Sequence, residues 1–78
     1  MTEHRTVYLT RSPVELYKVL KFENLAASGG EAKYLIADGL VRVNGETETR
    51  KRKKIFPGDT IELDGICLSM EAEAPDTP

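Results

Sequence analysis

Cysteine is nearly absent from this 78-residue chain: Cys67 stands alone and can close no disulfide within it. Histidine also occurs once, as His4, so neither a Cys/His nucleophilic pair nor a cluster of metal ligands has the residues it needs. No apolar run approaches the roughly 18 to 20 residues of a membrane span or the core of a secretion signal. These shortages point to a reducing cytoplasm, with no membrane partner, metal or other cofactor. Cys67, between Ile66 and Leu68 in a strand-like stretch, reads as a packed or edge thiol and not as a nucleophile. Length excludes more, because a single domain of this size buries about 60 to 65 % of its unfolded surface, too little for a deep cleft. No acid/base pair emerges either, so neither catalysis nor a small-molecule substrate is expected.

What the chain does have is five consecutive basic residues, Arg50, Lys51, Arg52, Lys53 and Lys54, although its formal net charge is −2. Charges packed this tightly repel one another unless a polyanion or nearby carboxylates offset them. Such a run can be a solvated loop, a localisation tract or a phosphate-binding surface. It is internal, preceded by the turn and strand signals of residues 40–45 and followed by Ile55, Phe56, Pro57, Gly58 and Asp59, so it belongs to a folded region. Residues 28–56 hold seven basic side chains against four acidic ones, a local balance of +3.

The element pattern is α+β. Val7, Tyr8 and Leu9 form a short apolar group suited to an added strand. Ser12, Pro13 and Glu15 carry the signals of a helix start at Pro13: a hydroxyl cap, proline at the first position and a carboxylate three residues past the cap. Leu16, Tyr17, Val19 and Leu20 then recur at helical spacing, with Lys18 and Lys21 outward, to an end near residues 22–24. The start signal repeats at Ser28 with Glu31, followed by Ala32, Leu35 and Ile36 and closed by Gly39. The short link between the two predicts a helical hairpin with Leu25 beneath it.

From Leu40 the period becomes alternating. Val41 and Val43 lead into Asn44-Gly45, a tight-turn pair. A three-residue loop including Glu46 is predicted, because a two-residue turn would send Glu46 and Glu48 to the core side. On that register Arg42, Glu48, Arg50, Arg52 and Lys54 share one strand face, while Lys51 and Lys53 lie on the other. Pro57-Gly58 turns the chain into residues 60–63, and Asp64-Gly65 makes a second hairpin with Leu63 facing Ile66 and Ile61 facing Leu68. The fold class is thus a helical hairpin packed on a small, mainly antiparallel sheet. Residues 1–70 make one domain, and 71–78, acidic and proline-bearing, an unstructured tail.

The second helix presents backbone amides at Gly29, Gly30 and Glu31 with the positive end of the helix dipole behind them, which suits a phosphate oxygen or needs no more than the Ser28 cap. A helix, then Ser28-Gly-Gly-Glu-Ala-Lys-Tyr-Leu-Ile, then Asp38-Gly-Leu-Val-Arg-Val-Asn-Gly45, then a basic stretch, then Pro57-Gly-Asp59 with Ile61, resembles the S4-type RNA-binding domain across roughly residues 14–63. Among its members the small stand-alone bacterial S4-like proteins are nearest, sharing the Glu-Thr-Arg-Lys-Arg stretch that stands here at residues 48–52. The resemblance implies binding of structured RNA, ribosomal or transfer RNA, and association with the ribosome. It assigns that binding to Ser28, Gly29, Gly30 and Lys33 on the helix side, and to Arg42, Asn44, Arg50, Lys51, Arg52, Lys53 and Lys54 on the other. S4 domains often carry arginine or lysine where Gly29 and Gly30 stand, so here the helix side offers amides more than charge. Leu35, Ile36, Leu40, Val41, Val43, Ile55 and Ile61 are the motif's core members.

The residues themselves suggest contacts to phosphates with weak sequence readout, since A-form RNA hides its base edges in a deep groove. Tyr17 and Tyr34 fall at partly core positions, and Phe56 either stacks on a base or packs under its turn. The alternative is a protein-interaction module docking its basic run on an acidic partner. Duplex DNA suits the second helix poorly, because Glu31 and Asp38 make it too acidic for the major groove.

Overall fold

The computed structural model describes residues 3–73. In chain order the elements are β1 (Glu3–Leu9), β2 (Val14–Glu15), α1 (Leu16–Phe22), α2 (Gly29–Ala37), β3 (Arg42–Val43), β4 (Glu46–Thr47), β5 (Lys54–Ile55), β6 (Thr60–Leu63) and β7 (Ile66–Ala72). Five strands form a sheet in the order β1-β7-β6-β3-β4, and β2 pairs with β5 in a separate two-stranded ladder. Only β1 and β7 run parallel. The class is therefore α+β, a helical hairpin on a mainly antiparallel sheet.

The amino-terminal stretch, which the sequence only suited to an added strand, joins the sheet from Glu3 onward. Its side chains alternate: Arg5, Val7 and Leu9 turn inward and are half-buried, while His4, Thr6 and Tyr8 are exposed. Both tight turns fall at the expected pairs. Asn44 and Gly45 take φ of 53° and 83°, and Asp64 and Gly65 take 50° and 77°, the two left-handed residues of a type I′ turn. The second hairpin has the expected register, Leu63 opposite Ile66 and Ile61 opposite Leu68.

The first hairpin is tighter than expected. Val43 pairs with Glu46 and Arg42 with Thr47, the two-residue register. Glu46 stays exposed, because β4 is the sheet's edge and stops after two residues, whereas the Glu48 side chain is largely covered, 13 % exposed, and pairs with Arg50. The basic run is consequently not a strand. Only Lys54 belongs to one, and it pairs with Glu15 instead of continuing the Arg42 face.

α1 begins at Leu16, not Pro13, and the Ser12 signal does not operate. Val14 and Glu15 are extended against Ile55 and Lys54, a conformation the fixed φ of Pro13 also permits. At the other end of the chain, Glu71 and Ala72 continue β7 beside Tyr8 and Leu9, past the expected end of the domain at residue 70. The remainder of the expected tail, 74–78, lies outside the described residues.

The core gathers Leu16, Val19 and Leu20 of α1, Ala32 and Ile36 of α2, and Val41, Val43, Ile55, Ile61, Leu63, Leu68 and Met70 of the strands. Leu25 packs against this cluster beneath the helix link, and Cys67 lies inside the sheet on β7, half-buried. Two expected inward residues are outside it. Tyr34 is 68 % exposed; two positions past Ala32 it stands on the opposite side of a helix that buries one narrow stripe. Leu40 is 53 % exposed, since the chain leaving Gly39 turns Val41 inward in its place.

Candidate nucleic-acid interface

The basic run lies on a loop whose backbone faces inward and whose side chains face out. After β4 the Glu48 N–H donates to the Val41 carbonyl at 2.9 Å, and the Lys53 N–H donates to that of Arg50 at 3.1 Å, closing a turn. The loop then serves as the cap of α1: Leu16 N–H donates to the Lys53 carbonyl at 2.9 Å and Tyr17 N–H to that of Lys51 at 3.1 Å. Two of the four unpaired amides at a helix start are thereby satisfied, with carbonyl oxygens facing the positive end of the dipole. This substitutes for the side-chain cap that Ser12 was expected to supply. Fully buried Ile55 pins the far end.

The side chains divide by partner. Arg50 is held by Glu48, whose carboxylate accepts from Nε at 3.0 Å, from Nη2 at 3.1 Å and from the Arg50 backbone N–H at 3.0 Å. The guanidinium hydrogen bond holds the Glu48 carboxyl below its ordinary value, against a smaller opposing effect of burial, and raises Arg50. Glu15 carries Lys18 at 3.2 Å and Arg52 at 3.7 Å. Exposed pairs of this kind add little to stability; they orient the cations. No carboxylate among the described residues makes an ion pair with Lys51, Lys53 or Lys54. Lys51 and Lys54 are exposed and Lys53 half-buried.

On the helix side, Ser28 caps α2 as expected, its Oγ accepting from the Glu31 N–H at 3.1 Å. Gly29 lies against the Tyr17 ring, so that a Cβ added there would meet Tyr17 Cε2 at 3.7 Å. Lys33 places its Nζ 4.6 Å from the centre of the same ring, and Lys18 Nζ lies 5.9 Å from it. Tyr17 thus joins the two halves of the expected site, its backbone to the loop and its ring to α2. Sequence reading assigned it to the partial core. No local sequence signal marked this role, since even a Cβ at Gly29 would sit at ordinary contact distance from the ring.

Two expected residues stand apart. Asn44 has its side chain committed within the fold: Nδ2 donates to Asp59 Oδ1 at 3.0 Å, and Oδ1 accepts from the Thr60 N–H at 2.9 Å. Arg42 sits opposite Thr47 and Glu62 on β3, and no hydrogen bond or ion pair among the described residues joins it to the loop. Phe56 is 48 % exposed beside Lys54.

Comparison with known proteins bears on the family and the fold. The S4 domain model matches residues 7–70. The chain is 50 % identical over 59 residues to Putative RNA-binding protein YbcJ of Escherichia coli (strain K12), covering 76 % of this chain and 84 % of that one. Over 53 residues it is 35 % identical to Probable ribosome maturation protein RlbA of Bacillus subtilis (strain 168), 68 % of this chain and 75 % of that one. The solution structure of Escherichia coli YbcJ, described as revealing a motif involved in RNA binding, superposes with a TM-score of 0.64 at 38 % identity, over 92 % of this chain and 90 % of that one. The 30S ribosomal protein S4e of Thermoplasma acidophilum matches with a TM-score of 0.61 at 29 % identity, over 74 % of this chain. The match spans 31 % of that longer protein.

Proposed function

The chain belongs to the S4 domain family, and from that membership together with the loop geometry we propose that it binds structured RNA, ribosomal or transfer RNA, without catalysing a reaction. The observation that carries this reading is the backbone anchoring of the basic loop on α1, which turns Arg50, Lys51, Arg52 and Lys54 outward at fixed positions. Lys33 on the Tyr17 ring and the amides of Gly29 and Gly30 extend the same positive surface. Phosphates of an A-form helix dock across these cations by charge and spacing, and base edges stay unread. The names of YbcJ and RlbA support RNA as the partner and ribosome assembly as its setting. The single cysteine agrees with a cytoplasmic location, and no helix among the described residues is long and apolar enough to cross a membrane.

The test is the salt dependence of binding to a structured RNA. Replacing Lys51, Arg52 and Lys54 together by alanine shallows the log-log slope by roughly 2 to 3, at ~0.7 to 0.9 per phosphate contact. The fold survives these changes, because Lys51 caps α1 through its carbonyl and not its side chain. Arg42→Ala, at a position that faces Glu62, changes the slope less. An unchanged slope in the triple variant removes the loop from the interface.

A further inference from the structure

We propose that the groove between β1 and α1 holds a single-stranded stretch of the RNA whose duplex docks on the basic loop, an inference that rests on the RNA-binding reading above. The groove encloses about 650 Å³, within the range of pockets that take small-molecule-sized groups. That is room for one or two unstacked bases and far too little for a duplex. Arg5 bridges the two elements at one end, its Nη1 donating to the Glu23 carbonyl at 3.0 Å.

Its α1 wall carries one exposed aromatic ring, Phe22 at 66 %; the Tyr8 side chain points to the opposite sheet face from Val7 and Leu9. The Phe22 ring is not needed by the core and offers a face on which a base of any identity can stack. Charge selects the occupant. Arg11 and Lys54 line the groove with no ion-pair partner among the described residues, Glu15 and Lys18 offset each other at 3.2 Å, and Glu23 is a further lining carboxylate, so the lining is net +1. Lys54 belongs both to the groove and to the basic run, so a phosphate backbone leaving the loop passes directly into the groove. An aromatic face beside a track of cations is what single-stranded nucleic acid requires.

The experiment compares a blunt RNA duplex with the same duplex carrying a short oligouridylate extension, by fluorescence anisotropy at fixed salt. The extended duplex binds about five- to tenfold more tightly per stacked base. Phe22→Ala abolishes that advantage and leaves the blunt duplex unaffected, whereas Tyr8→Ala, on the opposite sheet face, changes neither; both side chains are exposed, and thermal melting checks that the variants fold. Equal affinity of the wild-type chain for both duplexes overturns the proposal, as does a Phe22→Ala variant that weakens both alike. A protein partner that survives nuclease treatment and is lost in Phe22→Ala assigns the groove to a protein and also overturns it. Binding of the blunt duplex alone decides the RNA-binding reading, so the two can fail separately; a chain that binds neither duplex overturns both.

Discussion

The backbone N–H of Tyr17 donates to the carbonyl oxygen of Lys51 at 3.1 Å, and this bond ties the first helix to the middle of the basic run. The same tyrosine places its ring against Gly29 and under Lys33. One residue of α1 therefore sets the spacing between the loop cations and the amino end of α2.

Removing that ring has two separable effects. Tyr17→Ala lowers stability by about 1 to 2 kcal/mol, less than the 3 to 5 kcal/mol of a fully buried aromatic, because Tyr17 is only half-buried. It also weakens RNA binding at every salt concentration with no change of slope, since the number of cations is unaltered. Tyr17→Phe retains the face under Lys33, worth about 0.5 to 1 kcal/mol, and behaves as wild type in both measurements. Urea unfolding and salt-dependent anisotropy provide the two readouts.

Acid separates the Glu48 contact from the rest of the fold. The carboxyl is held below its ordinary value of 4.5, chiefly by the Arg50 hydrogen bond. A lowered folded-state value means that its contribution is complete above about pH 4.5 and is lost as the pH falls through the folded value. The stability difference between the wild-type chain and Glu48→Gln is accordingly constant near neutrality and closes below that point. Thermal melts across the acid range test this, and a difference that persists in strong acid contradicts it.

Asn44 acts on the fold and not on the ligand. Its amide spans Asp59 and Thr60, and its backbone is left-handed. Asn44→Ala loses both hydrogen bonds and puts at positive φ a residue that tolerates it less well than asparagine, a loss of about 2 to 4 kcal/mol together. Denaturant unfolding measures that loss, while the salt slope of RNA binding by the folded fraction stays the same.

Ser28 has a graded series. Ser28→Ala costs ~1 kcal/mol through loss of the N-cap, and Ser28→Gly a few tenths. A phosphate contact by the hydroxyl, if the RNA displaces Glu31 N–H from it, shows as a further loss of affinity in Ser28→Gly beyond its change in stability.

Local signals were legible where the residues that carry them are close in sequence. Ser28 with Glu31 capped α2, the two turn pairs took their positive φ values, and Ile61 and Leu68 met in the expected register. The basic run, too, was visible at once. Its shape was not. The Ser12 signal was a well-formed helix start that lost to a competitor about forty positions away in the chain, the loop carbonyls of Lys51 and Lys53. The expected hairpin register failed for a related reason: the burial of Glu46 and Glu48 that argued against it assumed a core beyond β4, but the sheet ends there, Glu46 stays exposed, and the largely covered Glu48 pairs with Arg50.

By itself the sequence determined the fold class, the α2 cap, the type I′ turns and the concentration of positive charge, because each follows from propensity, sterics or composition over a few neighbouring residues. Tertiary structure alone decided that the run is a loop and not a strand, that Glu48 and Glu15 each hold one of its arginines, and that Tyr17 joins the loop to α2. Those outcomes depend on which distant carbonyl meets an unpaired amide and which ring fills the space beside a glycine, contacts that exist only once the chain has closed on itself.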